Sequence, residues 1–425
     1  MNRVVITGIG VVSPIGNGTD QFLENIKQGK TGISIIEELK NFGFSCHVGG
    51  KCDISNSKWL DTLDKYGLTP ASDVIRFAII AALEAWANAG LEIPYFYDDN
   101  VDYDTGCIIG SGISSVDILG NKIVPFTNER KIKKLRSTIV EHSMVSGPSA
   151  NLSGILALGN YVSFNSSACA TGTEAIILGY EHIKHGKAKR MIVGGSDAYS
   201  PYGWAGFDAM RVLSTKYNNH PEKSSRPLSA TADGFVPGSG AGILILEDYE
   251  FAIKRNATIL AEICGAHINA GGQRQSGTMT APNPAGVIKC IKNAINDAGI
   301  NSNKIDYVSG HLSATMADII EVKNWAEALN RHGKDFPYIN SLKALTGHCI
   351  GAAGALETIA TLLSMNNNFI YPSVNSDDLH PEIEKTIDRN CVPLNTINTE
   401  INYAIKASFG FGDVNSCLIL KNIKS

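Results

Sequence analysis

The stretch Tyr161-Val162-Ser163-Phe164-Asn165-Ser166-Ser167-Ala168-Cys169-Ala170-Thr171-Gly172 decides how this chain is read. Its first four residues are rich in aromatic and β-branched side chains and predict a strand. The helical spacing of apolar residues over 173–185 predicts a helix, so Cys169 falls on a strand-to-helix turn. Small residues on both sides let the turn be tight and leave its backbone open to a ligand. The positive end of the helix dipole is expected to lower the thiol pKa. That position suits a nucleophile, although a lone cysteine is more often a small buried apolar residue.

At 425 residues the chain is long enough for two domains or one two-lobed body. A hydrophobic share of 44%, a charged share of 18% and a net charge of −4 describe an ordinary globular protein. They give no reason to expect nucleic acid or an acidic membrane as a partner. Nine cysteines, an odd number with no C-x-x-C pair, argue against a disulfide framework or zinc ribbon and for a reducing cytoplasm. Residues 1–8 run straight into a strand without a signal-peptide core, and the apolar run 77–83 stops at Glu84, too short to span a bilayer. A soluble cytoplasmic protein is expected.

The N-terminal Gly8-Ile9-Gly10-Val11-Val12-Ser13-Pro14 invites a dinucleotide-binding reading, but Ser13 replaces the third glycine and Pro14 would interrupt the helix. No acidic residue closes a second strand about twenty residues on. A strand and a glycine turn are expected instead. Residues 72–89 read as an amphipathic helix with Ile75, Ile79, Leu83 and Trp86 on one face. Strands are expected at 106–109, 191–193, 241–246, 305–308, 338–340, 403–408 and 414–420, and a further helix at 351–364. The segment Ile243-Leu244-Ile245-Leu246-Glu247-Asp248 is echoed by Cys417-Leu418-Ile419-Leu420-Lys421-Asn422, each after a glycine turn. A duplicated α/β unit explains the echo, with halves 1–250 and 251–425. The run Arg130-Lys131-Ile132-Lys133-Lys134-Leu135-Arg136 is either a solvated face or a dock for an acidic partner.

Two histidines, His311 and His348, follow predicted strands in turns flanked by small residues. One such histidine is more often structural. Two of them, with a cysteine on a similar turn, make a Cys-His-His site credible. At this point the sequence resembles the elongating β-ketoacyl-acyl-carrier-protein synthases, condensing enzymes of the thiolase fold. The resemblance spans nearly the whole chain and rests on Ser167-Ala168-Cys169-Ala170-Thr171-Gly172, Asp233-Gly234-Phe235-Val236, the stretch from Asn340-Ser341-Leu342-Lys343 through Thr346-Gly347-His348 to Gly351-Ala352-Ala353-Gly354, and Ser408-Phe409-Gly410-Phe411-Gly412.

The resemblance implies a five-layered α-β-α-β-α body and a homodimer, with a heterodimer involving a chain-length-factor-like subunit as the alternative. It implies no metal and no cofactor of the chain's own, since phosphopantetheine arrives on acyl carrier protein. Cys169 would accept the acyl chain, and backbone N–H groups of Cys169 and Phe409 would form an oxyanion hole. His311 and His348 would donate hydrogen bonds to the malonyl thioester oxygen during decarboxylation. Lys343 would organise the site by its charge, or else form a structural ion pair with Glu321. Glu357 would support the site from behind. Ser313 and Thr315 would hold the pantetheine arm, Thr280 would lie in a mobile loop, and Phe409 with Phe411 would gate the acyl chain. Ile113 would line the acyl pocket, or be plain core. Lys65, Arg130, Lys131, Lys133, Lys134 and Arg211 would dock the carrier protein.

Several residues depart from the family pattern. His311-Leu312-Ser313-Ala314-Thr315 replaces His-Gly-Thr-x-Thr, the spacing to Glu321 is one residue short, Ser239 stands at an acidic position, and Gly412-Asp413 replaces a glycine pair. These departures keep alive the same chemistry in an aryl polyene or polyketide pathway beside fatty acid elongation. A silent partner subunit would lack the cysteine.

Overall fold

The computed structural model describes residues 1–95 and 99–423. Its main sheet carries the same five-strand order twice. In the first half, β1 (Val4–Ser13), β2 (Thr105–Gly110), β3 (Val162–Ser163), β4 (Arg190–Asp197) and β5 (Gly240–Asp248) lie in the order β3-β2-β4-β5-β1. In the second, β6 (Ala261–Ala270), β7 (Tyr307–Ser309), β8 (Tyr338–Asn340), β9 (Tyr403–Gly410) and β10 (Val414–Lys421) lie in the order β8-β7-β9-β10-β6. The halves join where Val4, Val5 and Ile6 pair antiparallel with Ile263, Glu262 and Ala261. Each half pairs its outer three strands parallel and its inner ones antiparallel. The echoed sequences at 243–248 and 417–422 therefore fall on equivalent strands, β5 and β10.

Helices α1 (Asp73–Asn88) and α2 (Gly147–Leu156) cover one outer face. Helices α4 (Pro284–Ala298) and α5 (Ala317–Leu329) lie on the opposite outer side, with α4 on β6 and β10 and α5 against α4. Between them lie α3 (Thr171–Lys184) and α6 (Ala353–Asn366), each touching strands of both halves. This is the expected α-β-α-β-α order. Strand β5 shows why the sequence demands it: Ile243 and Ile245 enter the outer core while Leu244 and Leu246 enter the inner one. A strand covered on both faces needs apolar residues at consecutive positions rather than alternate ones. Helix α6 is likewise buried almost all round, as a middle layer requires.

Two expectations change. Gly8 and Gly10 make no turn, because β1 runs unbroken from Val4 to Ser13. Helix α1 lies so close that a Cβ at Gly8 would sit 2.2 Å from the Ala85 carbonyl oxygen, and one at Gly10 would sit 1.9 Å from that of Ala81. The glycines are thus a helix-on-sheet contact. The strand expected at 161–164 shortens to Val162–Ser163 at the sheet edge, since Phe164 already belongs to the approach to the cysteine turn. Among the described residues no helix is long and apolar enough to cross a membrane.

Candidate active site

Turns from both halves converge on one point, and non-glycine residues in left-handed conformation flank each of them. Ala168 (φ 48°) precedes the cysteine, Leu312 (φ 21°) and Ala314 (φ 63°) follow His311, Ile350 (φ 49°) follows His348, and Asp413 (φ 61°) follows the Phe409 segment. Such conformations cost about 1 kcal/mol or more each and persist only where neighbours enforce them. At the cysteine turn the enforcing residue is Thr171. Its hydroxyl donates to the Ala168 carbonyl (2.7 Å) and accepts from the Ser167 N–H (2.8 Å). At His311 two carboxylates of α5 receive four successive backbone N–H groups: Glu321 those of His311 (2.6 Å) and Leu312 (2.8 Å), Asp318 those of Ser313 (2.8 Å) and Ala314 (3.1 Å). The shortened spacing to Glu321 thus still reaches the turn.

The Cys169 sulfur and one ring nitrogen from each of His311 and His348 lie within 4.8 Å of one another. The imidazoles meet edge to face, with centroids 5.4 Å apart and planes at 80°. The Ile350 N–H donates to Nδ1 of His348 (3.1 Å), which leaves the proton of the neutral ring on Nε2. Nε2 is therefore a hydrogen-bond donor rather than a lone pair for a metal, although Cys-His-His is otherwise a zinc-type set. Nδ1 of His311 is buried without a hydrogen-bond partner among the described residues. Burial, then the charge of Lys343, pushes both histidines well below the usual imidazole range. They are neutral at pH 7.

The thiol behaves differently from expectation. Cys169 is only 9% exposed, and burial pushes it up to about 12, against the opposing pull of Lys343. Desolvation of the thiolate outweighs the helix-dipole effect, so Cys169 rests as a thiol, and any nucleophilic role would require it to hand its proton to a base.

Lys343 pairs with Glu357 rather than Glu321, and its Nζ also donates to the His311 carbonyl (2.5 Å). Glu321 is already committed to the His311 turn and to the Trp325 indole N–H (3.1 Å). Burial and the neighbouring Asp318 push Glu321 up to about 7. Behind Lys343 the sequence reading missed Lys406, a fully buried lysine with its Nζ 2.9 Å from the other Glu357 oxygen. It also missed Asp197, whose buried carboxylate receives Ser111 Oγ (2.6 Å) and the N–H groups of Gly112 (2.8 Å) and Gly351 (2.6 Å). A charged residue inside an otherwise apolar strand pattern was the available signal for both.

Cys169, both histidines, Phe409, Phe411, Thr280, Ser313 and Thr315 line one cavity of about 280 Å³, with Val287, Ile320 and Met210 adding apolar wall. The Ser313 and Thr315 hydroxyls are 3.1 Å apart. Phe409 is buried, and its ring faces His311 at 6.0 Å. A Cβ at Gly410 would stand 2.5 Å from the Ser167 carbonyl oxygen and 3.1 Å from the Ala170 N, so the 409–410 backbone lies directly against the cysteine turn. Ile113 is not among the lining residues. Tied through its N–H to Asp197 (3.2 Å), it packs beside Trp204 and Ile36.

Asp413 explains one departure from the family pattern. Its carboxylate accepts the N–H groups of Gln273 (2.8 Å) and Asn283 (2.7 Å), and the Gly412 N–H donates to Met279 (2.8 Å). The Phe409–Asp413 segment and the 271–283 loop carrying Thr280 are thereby stitched together over the cavity. Asp413→Ala is expected to strand the buried Asn283 N–H and cost about 1–3 kcal/mol, seen as a lowered Tm and faster limited proteolysis within 271–283. Asp413→Gly, which accepts the positive φ, separates the lost bonds from backbone strain.

The basic residues are exposed. Arg130, Lys133, Lys134 and Arg136 surround a short turn at Ile132–Leu135, and Lys131 pairs with Glu129 (2.6 Å). His142, six residues past Arg136, bonds to the Gly67 carbonyl (3.0 Å), two residues from exposed Lys65. Arg211 lies exposed between Met210 and Val212, both of which line the cavity, and so stands at its mouth.

A buried cysteine facing two neutral imidazoles, one of them fixed as a donor, at the end of an apolar cavity in this five-layered fold defines an acyl-transferring condensing enzyme. Residues 1–252 match the family described as Beta-ketoacyl synthase, N-terminal domain, and residues 260–377 match Beta-ketoacyl synthase, C-terminal domain. The chain belongs to the β-ketoacyl synthase family. It is 35% identical over 427 residues to 3-oxoacyl-[acyl-carrier-protein] synthase 2 of Vibrio harveyi, covering 99% of each chain. It is 35% identical over 424 residues to 3-oxoacyl-[acyl-carrier-protein] synthase 1 of Escherichia coli (strain K12), covering 100% of each. Among solved structures it is similar to a ketosynthase chain of a type II polyketide assembly with its acyl-carrier protein, at TM-score 0.88 and 29% identity over 99% of this chain and 100% of that one. The ishigamide ketosynthase/chain length factor gives TM-score 0.86 and 25% identity, with 99% of each chain covered.

Proposed function

We propose that this chain is a 3-oxoacyl-acyl-carrier-protein synthase that elongates fatty acyl chains by decarboxylating Claisen condensation. The observation that carries the reading is the Cys169-His311-His348 trio, with Nε2 of His348 held as a donor by the Ile350 N–H. Cys169 attacks the acyl thioester of a carrier protein. Its proton passes to His311, whose tautomer no hydrogen bond from the described residues fixes, and from there to the departing pantetheine sulfur. Backbone N–H groups of Cys169 and Phe409 hold the tetrahedral oxyanion. Malonyl-carrier protein then enters, and its carbon–carboxylate bond breaks to release carbon dioxide. The electron pair moves into an enolate whose oxygen takes hydrogen bonds from His348 and His311. The enolate carbon attacks the acyl-enzyme carbonyl, the new carbon–carbon bond forms, and the Cys169 thiolate leaves and takes up one proton from solvent, which balances the carboxylate lost as carbon dioxide.

The other residues take supporting parts. Ser313 and Thr315 hold the pantetheine arm, Thr280 and Phe411 flank its entrance, and Phe409 gates the acyl chain. Lys343, Glu357 and Glu321 hold the histidine turns. Ile113 bounds the acyl pocket once Phe409 swings away. Lys65, Arg130, Lys131, Lys133, Lys134 and Arg211 receive an acidic carrier protein, which brings the only prosthetic group the chemistry uses. The protein works in the cytoplasm as a homodimer, and the exposed edge strand Val162–Ser163, close in sequence to Cys169, offers backbone groups for a partner's strand. The same chemistry in an aryl polyene or polyketide pathway is the second reading, favoured by the resemblance to polyketide ketosynthases and by Ser313, Ala314 and Asp413. There the chain would pair with a chain-length-factor-like subunit.

Mass spectrometry after incubation with acyl-carrier proteins of varied length and unsaturation, followed by malonyl-carrier protein, tests both. An adduct on Cys169 chased to a product two carbons longer is expected, and saturated donors should work best. Preference for polyunsaturated or aryl donors would move the chain to the second reading. No adduct from any donor would sink both.

A further inference from the structure

Strand β9 alternates strictly. Ile405, Ala407 and Phe409 enter the outer core of the second half, whereas Ala404 enters the inner core with α3 and α6. Lys406 and Ser408 share the Ala404 face by the same period of two. Lys406 is therefore a cation placed where the middle layer is otherwise apolar, with a side chain that is 0% exposed. Its Nζ lies 2.9 Å from Glu357 Oε2 and donates to Ser408 Oγ (3.0 Å), which in turn meets Thr173 Oγ1 (2.9 Å) on the helix that begins at the cysteine turn. Glu357 simultaneously pairs with Lys343, which holds the His311 carbonyl. One carboxylate thus serves two ammonium groups: burial pushes Lys406 below the usual lysine range against the pull of Glu357, and with both lysines protonated the three side chains carry one net positive charge.

An unmatched buried cation is expensive to fold, so a neutral residue would be the stable choice here if packing alone mattered. Resting on the condensing reaction proposed above, we propose that Lys406 is a positioning residue, anchoring Glu357 and Ser408 beneath Cys169 and supplying the excess positive charge of the site. The consequence concerns His311 and His348, which must stay neutral to donate to the enolate oxygen. Facing them from the packed elements are Cys169 on the α3 turn, Lys343 and Glu357 behind, Glu321 and Asp318 on α5, Asp197 at the end of β4, Lys406 on β9, and the buried phenols Tyr307 and Tyr371 beyond Glu357. Lys406 opposes protonation of both imidazoles, and because Glu357 is shared with Lys343 the excess charge of the three also favours the anionic enolate.

The experiment measures carbon dioxide release from malonyl-pantetheine against pH, with no carrier protein to titrate. In Lys406→Met, Lys343 and Glu357 cancel, so the acid limb of kcat/KM is expected to rise by about one pH unit and the rate to fall about tenfold. In Glu357→Gln two cations remain and the limb is expected to move down. The double variant Glu357→Gln/Lys406→Met restores one net charge, and its limb should return to the position of the unsubstituted chain. The double variant also removes the Glu357 oxygen that Lys406→Met leaves without its ammonium partner, so it reports even where Lys406→Met folds poorly. A merely structural lysine would alter Tm and yield without moving the limb. An unmoved limb in Lys406→Met, or no difference between Glu357→Gln and the double variant, would overturn the proposal alone. Absence of decarboxylation and condensation by the unsubstituted chain would overturn the condensing reaction with it.

Discussion

Cys169→Ala is expected to leave no acyl adduct on the protein and to lower condensation by about 10⁴-fold or more, because the covalent half-reaction then has no acceptor. Among the described residues Cys169 is the only cysteine lining the cavity. Cys349 follows His348 in sequence but is 1% exposed and packed in the inner core, and burial pushes its thiol up to about 12. The adduct should therefore map to Cys169 alone. Peptide mapping of the acylated protein checks this, and an adduct on Cys349, or normal turnover by the alanine variant, would dismantle the mechanism. The high pKa of the thiol adds a second expectation. Iodoacetamide should react slowly at pH 7 and faster as the pH rises, since the thiolate is scarce until the solution approaches the raised pKa.

His348→Ala is expected to separate the two half-reactions. Acylation of Cys169 should persist, while release of carbon dioxide from malonyl-carrier protein should fall by about 10²–10³, the usual effect of deleting one donor to a developing oxyanion. The Ile350 N–H makes the case specific to this histidine, since it leaves Nε2 no role but donor. The pH dependence follows in sign. Both imidazoles are held well below the usual range, first by burial and then by Lys343, so the neutral donor form survives as pH falls through 6.5. Decarboxylation should stay flat there and decline only in more acid solution. An acid limb near pH 6.5, or undiminished carbon dioxide release by His348→Ala, would remove His348 from the decarboxylation.

The site's strain and its charges belong to the same design. Thr171, Glu321, Asp318 and Asp197 hold backbone turns in conformations that Ala168, Leu312, Ala314 and Ile350 would not adopt unaided. The buried carboxylates do so by receiving backbone N–H groups, and burial pushes Asp197 and Asp318 up to about 6.

The sequence by itself determined the layered α/β fold and pointed to a repeated α/β unit and to the three groups we propose do the chemistry. Each is written locally: apolar runs at consecutive positions mark strands buried on both faces, and small residues around Cys169, His311 and His348 mark turns that approach a ligand. Tertiary structure decided what lies between segments distant in the chain. Gly8 and Gly10 look like a turn until α1 is seen lying on them. Lys343 reads as a partner for Glu321 until α5 claims Glu321 for the His311 turn and α6 delivers Glu357. Lys406 looks like a flaw in a strand until Glu357 is found beside it, and the thiol pKa depends on how much protein excludes water from Cys169, a quantity with no local sequence signature. Desolvation and ion pairing act through space, and residues 169, 311, 343, 357 and 406 meet only because the two halves fold against each other around α3 and α6.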